Sequence, residues 1–377
     1  MLRQMTLFIS VMLITFLFFW TNDNKKDKKT GVVIITIIMG CFSGFRSWWM
    51  GDLIKYHTLY ALVNGPNSSE SLAEKNVNRG IRYFFWCAGH LGISYDVCIF
   101  LISAFSAIAL GVLVYRYSEG PFWSYLIYIS MGFYLFTYSG LKQTIAMGFV
   151  IFAVMGLFED NWKKFYFWVL IAGLFHAPAL ILLPAYFIAK KEIDRAYVFF
   201  LAVFLVIGYL FRNQIVEIFA DAYYESEKMY SANKTIGGRV IVMLLIILLG
   251  VFLRPSRGKG LYSKVLNLMI IAAAIQYFSI YNNVFTRLAD YYYQFVVIFI
   301  PMMLETGDHQ LAAKSDGEHK IVRFNRDVYV LLSFGIIVFA LWFYVNSTLA
   351  NPAFVDNYKF FWEQDEYEIM NELQRGA

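Results

Sequence analysis

Apolar stretches long enough to cross a bilayer recur along nearly the whole chain and leave little length for a separate soluble domain. A helix needs about 20 mainly apolar residues to cross roughly 30 Å of hydrocarbon, and its backbone must satisfy its own hydrogen bonds there. The runs are continuous rather than alternating, which favours helices over barrel strands. Of the 377 residues, 59% are hydrophobic and 16% are charged. We therefore predict one all-α integral membrane domain over residues 1–377, a polytopic transmembrane helical bundle.

The length criterion gives about twelve spans. We predict them at 2–20, 31–49, 95–115, 121–138, 141–158, 162–176, 178–189, 195–211, 239–253, 262–281, 284–304 and 327–346. Short loops rich in Lys and Arg belong in the cytoplasm, and with twelve spans the basic loops all fall on one side. The first stretch is similar to a signal peptide but lacks a small-residue cleavage site, so we expect it to remain as a span. Both termini are then expected to face outward.

Three longer segments are predicted on the outer face: 50–94, 212–238 and 347–377. Residues 74–92 mix cations with Phe, Trp and Leu, as an interfacial or re-entrant amphipathic helix does. The three cysteines show no metal-ligand spacing, so we predict no metal site and no cofactor. The net charge of +5 is scattered over the loops. That distribution argues against nucleic acid as a partner.

Charged side chains also lie at the outer ends of several predicted spans, although Lys and Arg are expected mainly on the cytoplasmic side. These residues are Arg46, Lys142, Arg239 and Arg287, with Asp290 close by. An ionisable group at membrane depth costs about 3 kcal/mol unless it is paired or hydrated. A group of cations at one end of a bundle therefore indicates an anionic ligand. The alternative is that each cation reaches lipid phosphates or pairs with a neighbouring carboxylate.

His176 lies in Phe175-His176-Ala177-Pro178, where the proline predicts a helix break. Freed carbonyl groups and a polar pocket are expected at such a break. The alternative is a structural histidine that only satisfies local hydrogen bonds. Asp52 and His57 follow the second span in the outer segment, where each is either a site residue or an ordinary solvated loop residue.

Four stretches of the chain, in order, resemble the EpsG-like family of Wzy-type polysaccharide polymerases. They are Gly44-Phe45-Arg46 with Gly51-Asp52 and Tyr56, residues 138–146, residues 175–180, and residues 285–291. Lys142 stands where the family more often has arginine. A lysine replaces the planar guanidinium fork by a point charge and cannot bind phosphate in the bidentate way.

The resemblance implies a metal-independent glycosyltransferase of the bacterial cytoplasmic membrane, used in exopolysaccharide or capsule synthesis. It would join polyprenyl-pyrophosphate-linked oligosaccharide repeat units, donor and acceptor, at the outer face. Membrane lipid, a chain-length regulator and a flippase are further candidate partners. The implied pyrophosphate-binding residues are Arg46, Lys142, Arg239 and Arg287. His176 is the first candidate for the catalytic base, with Asp52 or Asp290 as alternatives. Arg79, Arg82, His57, Gln143 and Tyr291 are candidate substrate-binding residues.

Two other classes of protein fit part of the pattern. A membrane acyltransferase that modifies extracellular glycan also uses a membrane-embedded His and Arg, and it would consume acyl-CoA. A transporter or flippase would bind a lipid diphosphate with the same cations but break no bond. Transporters commonly contain two related halves, and the chain shows no similarity between its halves.

Overall fold

The computed structural model describes residues 25–47, 52–66, 68, 79–215, 217, 238–252, 259–312, 331, 335, 338–339, 342–343, 346 and 360–363. Its α-helices are α1 (Lys25–Gly44), α2 (Leu53–Val63), α3 (Arg79–His90), α4 (Tyr95–Tyr117), α5 (Pro121–Ser130), α6 (Phe133–Phe136), α7 (Leu141–Phe158), α8 (Trp162–Phe175), α9 (Ala185–Ile188), α10 (Arg195–Leu210), α11 (Gly238–Phe252), α12 (Lys259–Tyr277), α13 (Val284–Tyr293) and α14 (Val296–Ala312). The all-α prediction is confirmed for this part of the chain, which contains no strand. The predicted span 2–20, most of 327–346 and most of the segments 212–238 and 347–377 lie outside the described residues.

Three helical stretches are long and apolar enough to cross a membrane: Tyr95–Tyr117, Leu141–Phe158 and Gly260–Ile280. Shorter apolar helices include α10 and α11. Large apolar side chains on these two helices, such as Phe200 and Leu248, are exposed at 68% and 65%. Exposed apolar faces of this extent suit contact with lipid rather than water. The chain is thus a helical membrane protein, and the number of twelve spans stays a prediction.

Three of the predicted spans are not single helices. The stretch 121–138 is divided by Gly132, which has a φ of 82° between α5 and α6. The stretch 178–189 consists of a 3₁₀ helix, Ala177–Leu182, followed by the short α9. The stretch 284–304 is divided between α13 and α14. Irregular backbone at membrane depth is stable only where protein or a water-filled cavity surrounds it.

The helices pack so that these breaks meet. α1 packs along α4, α4 along α7, and α7 along α8, while α12 packs against α11 and α13. The 3₁₀ helix Ala177–Leu182 contacts α8, α7 and α13. The end of α8, the start of α7 and the middle of α13 therefore adjoin.

The amphipathic helix predicted at 74–92 is present as α3, with residues 74–78 outside the described part. Ile81, Phe85 and Ala88 are buried on one face, whereas Tyr83 is 51% exposed. α3 crosses the end of α8 closely, because a Cβ at Gly80 would lie 2.8 Å from the carbonyl oxygen of Leu174. This contact places the helix that carries Arg79 and Arg82 beside the His176 break.

Ion pairs tie the loops together at the other end of α7. Asp160 pairs with Lys190 at 2.7 Å and with Lys264 at 2.9 Å. These residues belong to three segments whose basic residues were predicted to share the cytoplasmic face, and the pairs support that arrangement. A helix of 18 residues is about 27 Å long. The Asp160 network and the start of α7 are therefore separated by the whole helix.

Replacing Asp160 by asparagine should destabilise the fold at neutral pH but not in acid. The ammonium groups of Lys190 and Lys264 hold the pKa of Asp160 below its usual value. A lowered carboxyl pKa stabilises the folded state at pH values above about 4, and this stabilisation is lost as the pH falls and the group is protonated. Asparagine tolerates the left-handed backbone found here, with a φ of 56°. The unfolding midpoints of the wild type and of Asp160→Asn in detergent should differ at pH 7 and become equal in acid. A midpoint lowered by the same amount at both pH values would refute the ion-pair account.

Candidate active site

His176 is held at the break between α8 and the following 3₁₀ helix. Its backbone is extended, with a φ of −151°, and its N–H donates to the carbonyl oxygen of Ala172 at 2.9 Å. Pro178 lacks an N–H and prevents α8 from continuing. The imidazole is buried, with 3% exposure, and its Nδ1 shares a hydrogen bond with the hydroxyl of Tyr291 on α13. This bond fixes the orientation of the imidazole ring.

Two cations act on this histidine from neighbouring helices. Lys142, in the first turn of α7, and Arg287, on α13, are close enough to affect the imidazole electrostatically. The side-chain amide of Gln143 donates to the carbonyl oxygen of Arg287 at 3.0 Å and so joins α7 to α13. Both cationic side chains are half-buried. The break, the start of α7 and α13 thus assemble one basic, partly dehydrated region.

Arg239 extends this region through the carboxylate of Asp290. One terminal nitrogen of Arg239 forms an ion pair with Asp290 Oδ1, and the guanidinium carbon lies 5.1 Å from the centroid of the Tyr293 ring. The charge of Arg287 also acts on Asp290. Asp290 is therefore engaged by Arg239, which makes it a poor candidate for a free base.

Arg46 is the most deeply buried of the four predicted cations, with 1% exposure. Its Nε donates to the carbonyl oxygen of Tyr138 at 3.3 Å, and one terminal nitrogen donates to that of Thr137 at 3.0 Å. The other terminal nitrogen contacts the carbonyl oxygen of Ser43 and, at 2.9 Å, the hydroxyl of Ser103. The guanidinium thus joins the end of α1 to α4 and to the turn before α7. Its charge remains, but much of its hydrogen-bonding capacity serves the fold.

Tyrosines connect Arg46 with the other cations. The Lys142 ammonium lies 5.9 Å from the centroid of the Tyr56 ring on α2. Tyr56 and Arg46 both act electrostatically on the hydroxyl of Tyr95 at the start of α4. We call Arg46, Lys142, Arg239 and Arg287 the cation cluster. His176 and Asp290 lie within it, and Gln143 and Tyr291 bridge its elements.

The remaining predicted site residues lie around the cluster. Asp52 is half-exposed and pairs with Lys55 of its own segment at 3.3 Å. The ring of His57 packs edge-on against Tyr95, with 5.1 Å between centroids. On α3, Arg82 is 7% exposed, whereas Arg79 is exposed. The structure thus packs His57 beside Tyr95, buries Arg82, and leaves Asp52 and Arg79 at the surface.

Of the residues with buried polar atoms near the cluster, Thr144 and Gln276 were not singled out from the sequence. Within the described ranges, Gln143 Oε1, Thr144 Oγ1, Gln276 Oε1 and Arg239 Nε have no hydrogen-bond partner. Gln276 also donates to Thr286 Oγ1 at 2.9 Å, next to Arg287. A glutamine within an apolar span was a usable signal, because polar side chains at membrane depth are costly. Unsatisfied acceptors and a donor beside cations are suited to a polar, anionic ligand.

The charge of the site decides which ligands it can hold. Among the described residues the region holds four cations, and the Asp290 carboxylate that lies with them is already paired with Arg239. Such a site repels a metal cation and attracts a phosphate or diphosphate, to which Arg can bind through paired N–H groups. It also stabilises negative charge that develops on a leaving group.

Comparison with known protein families gives a match over most of the chain. The EpsG family profile matches residues 29–310, a range that includes the whole cation cluster. No curated protein and no solved structure matches the chain. The matched range covers well over half of the 377 residues. The chain therefore belongs to the EpsG family.

Proposed function

We propose that this protein is a polysaccharide polymerase that joins polyprenyl-pyrophosphate-linked oligosaccharide repeat units at the outer face of a bacterial cytoplasmic membrane. The observation that carries the proposal is the cation cluster, in which four cations share one end of the bundle with His176. Family membership supports the same activity. The basic loops, which the charge rule assigns to the cytoplasm, support an outward orientation of the cluster.

The reaction needs a site that stabilises a leaving diphosphate. A hydroxyl oxygen of the acceptor sugar attacks the anomeric carbon of the donor glycan, and the bond from that carbon to the diphosphate oxygen breaks. The electron pair leaves with the diphosphate. Lys142, Arg239 and Arg287 are half-buried and supply positive charge there, and Arg46 adds its charge from a deeper position. Fixed charges in a poorly hydrated site stabilise such a transition state far more than they do in water.

The hydroxyl proton goes to a base, which we assign to His176. The bond from Nδ1 to Tyr291 holds the ring in one orientation, as a hydrogen bond to one ring nitrogen commonly does for functional histidines. Asp290 is engaged by Arg239, and Asp52 lies at the surface with Lys55. These pairings favour His176 over both carboxylates. We assign Arg82 and Gln143 to substrate binding around this centre, since both are buried and Gln143 bonds to the backbone of Arg287.

The proposal is tested with purified protein in lipid nanodiscs and the lipid-linked repeat unit of the producing strain. We expect products that grow by whole repeat units in mass analysis, without added metal or nucleotide. Acyl-CoA consumption with a single added acyl group would identify an acyltransferase instead. Movement of the lipid-linked unit across a sealed vesicle without bond formation would identify a transporter, and either result would overturn the proposal.

A further inference from the structure

A second group of polar residues adjoins the cation cluster on its outer side and plays no part in the mechanism above. It consists of His57 on α2 and Asp96 in the first turn of α4. The two side chains interact electrostatically. The His57 ring packs against Tyr95, the residue before Asp96, and the Tyr95 hydroxyl donates to the carbonyl oxygen of Leu53 at 2.7 Å. The start of α4 is therefore locked against α2, and the pair is held in place.

One carboxylate oxygen of Asp96, Oδ1, is buried without a hydrogen-bond partner among the described residues. A carboxylate in the first turn of a helix is favoured by the helix dipole, which explains the charge at this position. The dipole does not supply a donor to the buried oxygen. Buried polar atoms are nearly always satisfied, and a persistent exception indicates a missing partner.

The pair lies next to the cation cluster but carries a carboxylate, so its charge has the opposite sign. Tyr56, which precedes His57, has the Lys142 ammonium 5.9 Å from its ring centroid. A diphosphate is drawn to the cations and repelled by the Asp96 carboxylate. Burial lowers the pKa of the His57 imidazole, and the charge of Asp96 works in the opposite direction. An uncharged imidazole both accepts and donates hydrogen bonds. The pair thus suits a neutral ligand with many hydroxyl groups.

We propose that Asp96 and His57 bind hydroxyl groups of the acceptor saccharide, beside the cations that bind the donor diphosphate. The inference rests on the proposed function, because it assigns the second substrate of that reaction. The Asp96 carboxylate accepts a hydrogen bond from a sugar hydroxyl, and the Tyr56 ring offers a face for the pyranose. The donor diphosphate thereby goes to the cation cluster, and the reacting sugar of the acceptor, at the end away from the acceptor's own diphosphate, goes to the Asp96 pair.

The test separates the two substrates chemically. A repeat unit joined to its lipid through a stable ether can only accept, and a repeat unit that lacks the acceptor hydroxyl can only donate. With these probes and the purified full chain, Asp96→Asn and His57→Phe should each raise the KM for the acceptor about tenfold and change that for the donor less than about twofold. His57→Phe keeps an aromatic ring against Tyr95 and should preserve the fold. Its KM values therefore test the acceptor assignment even if Asp96→Asn lowers the unfolding midpoint.

Thr58→Ala is the matched control, because Thr58 is exposed on the same helix and bonds to the carbonyl oxygen of Ile54. It should leave both KM values unchanged. Equal changes in the two KM values, or no change in either variant, would overturn the assignment while leaving the polymerase proposal intact. Failure of the unaltered protein to extend the native lipid-linked unit would instead overturn the proposed function and, with it, this inference.

Discussion

Replacing Arg287 by alanine should lower the rate of polymer formation about 100-fold or more, because it removes a fixed charge that stabilises the leaving diphosphate. Arg287 acts electrostatically on both His176 and Asp290, so it is near both the proposed base and the Arg239 ion pair. Its loss leaves the backbone carbonyl that accepts from Gln143 in place. The rate should fall without loss of the fold, which initial rates and unfolding midpoints measure separately.

Arg287→Lys and Arg116→Ala serve as comparisons for this change. Lysine keeps the charge but not the paired donors, so its rate should lie between those of the wild type and the alanine variant. Arg116 is an exposed arginine at the opposite end of α4, where it pairs with Glu159 at 3.4 Å. Arg116→Ala should polymerise at the wild-type rate. Wild-type rates in Arg287→Ala would show that the cation cluster does not serve the chemical step.

Replacing Arg46 by alanine should destabilise the fold as well as slow polymer formation. The change leaves the carbonyl oxygens of Ser43, Thr137 and Tyr138 without these donors in the protein interior. Each unsatisfied buried group costs at least about 1 kcal/mol, so we expect the free energy of unfolding to fall by about 3 kcal/mol or more. Denaturant unfolding in detergent micelles measures this loss.

Arg46→Lys distinguishes the charge from the hydrogen bonds. It restores the positive charge but cannot reach all the acceptors, so it should recover part of the polymerisation rate while stability stays low. Unchanged stability in Arg46→Ala together with abolished polymerisation would mean that the guanidinium acts on the substrate alone. Its bonds to backbone carbonyls would then contribute nothing measurable.

Helix limits followed from the sequence wherever an apolar run was bounded by clear signals. Helix α7 begins and ends where the prediction placed it, at Leu141 and Phe158. Asn161 and Asp194 cap α8 and α10 through side-chain hydrogen bonds to the helix N–H groups, as these residue types commonly do. Gly132, in contrast, lies within an apolar run, where glycine is common in membrane helices and does not by itself indicate a break.

The charged residues of the candidate site could be predicted from the sequence, whereas their hydrogen-bond partners could not. The positions of Arg287 and Lys142 at span ends indicated functional cations, because a charge at membrane depth is costly unless it is paired, hydrated or bound to a ligand. Two of the acceptors of Arg46 are the backbone carbonyls of Thr137 and Tyr138, about 90 residues away, and no side-chain pattern encodes them. Asp96 was overlooked for a related reason. An acid in the first turn of a helix is ordinary in sequence, and only the structure shows that its Oδ1 is buried with no hydrogen-bond partner among the described residues.

The most direct test of the account is the affinity of the purified protein for a polyprenyl pyrophosphate compared with the corresponding polyprenol. If the cation cluster binds the diphosphate, the pyrophosphate should bind about 100-fold more tightly, which corresponds to about 2.7 kcal/mol. The preference should largely disappear in a Lys142→Ala, Arg287→Ala double variant. Equal affinities for the two lipids, or a full preference retained by the double variant, would contradict the account.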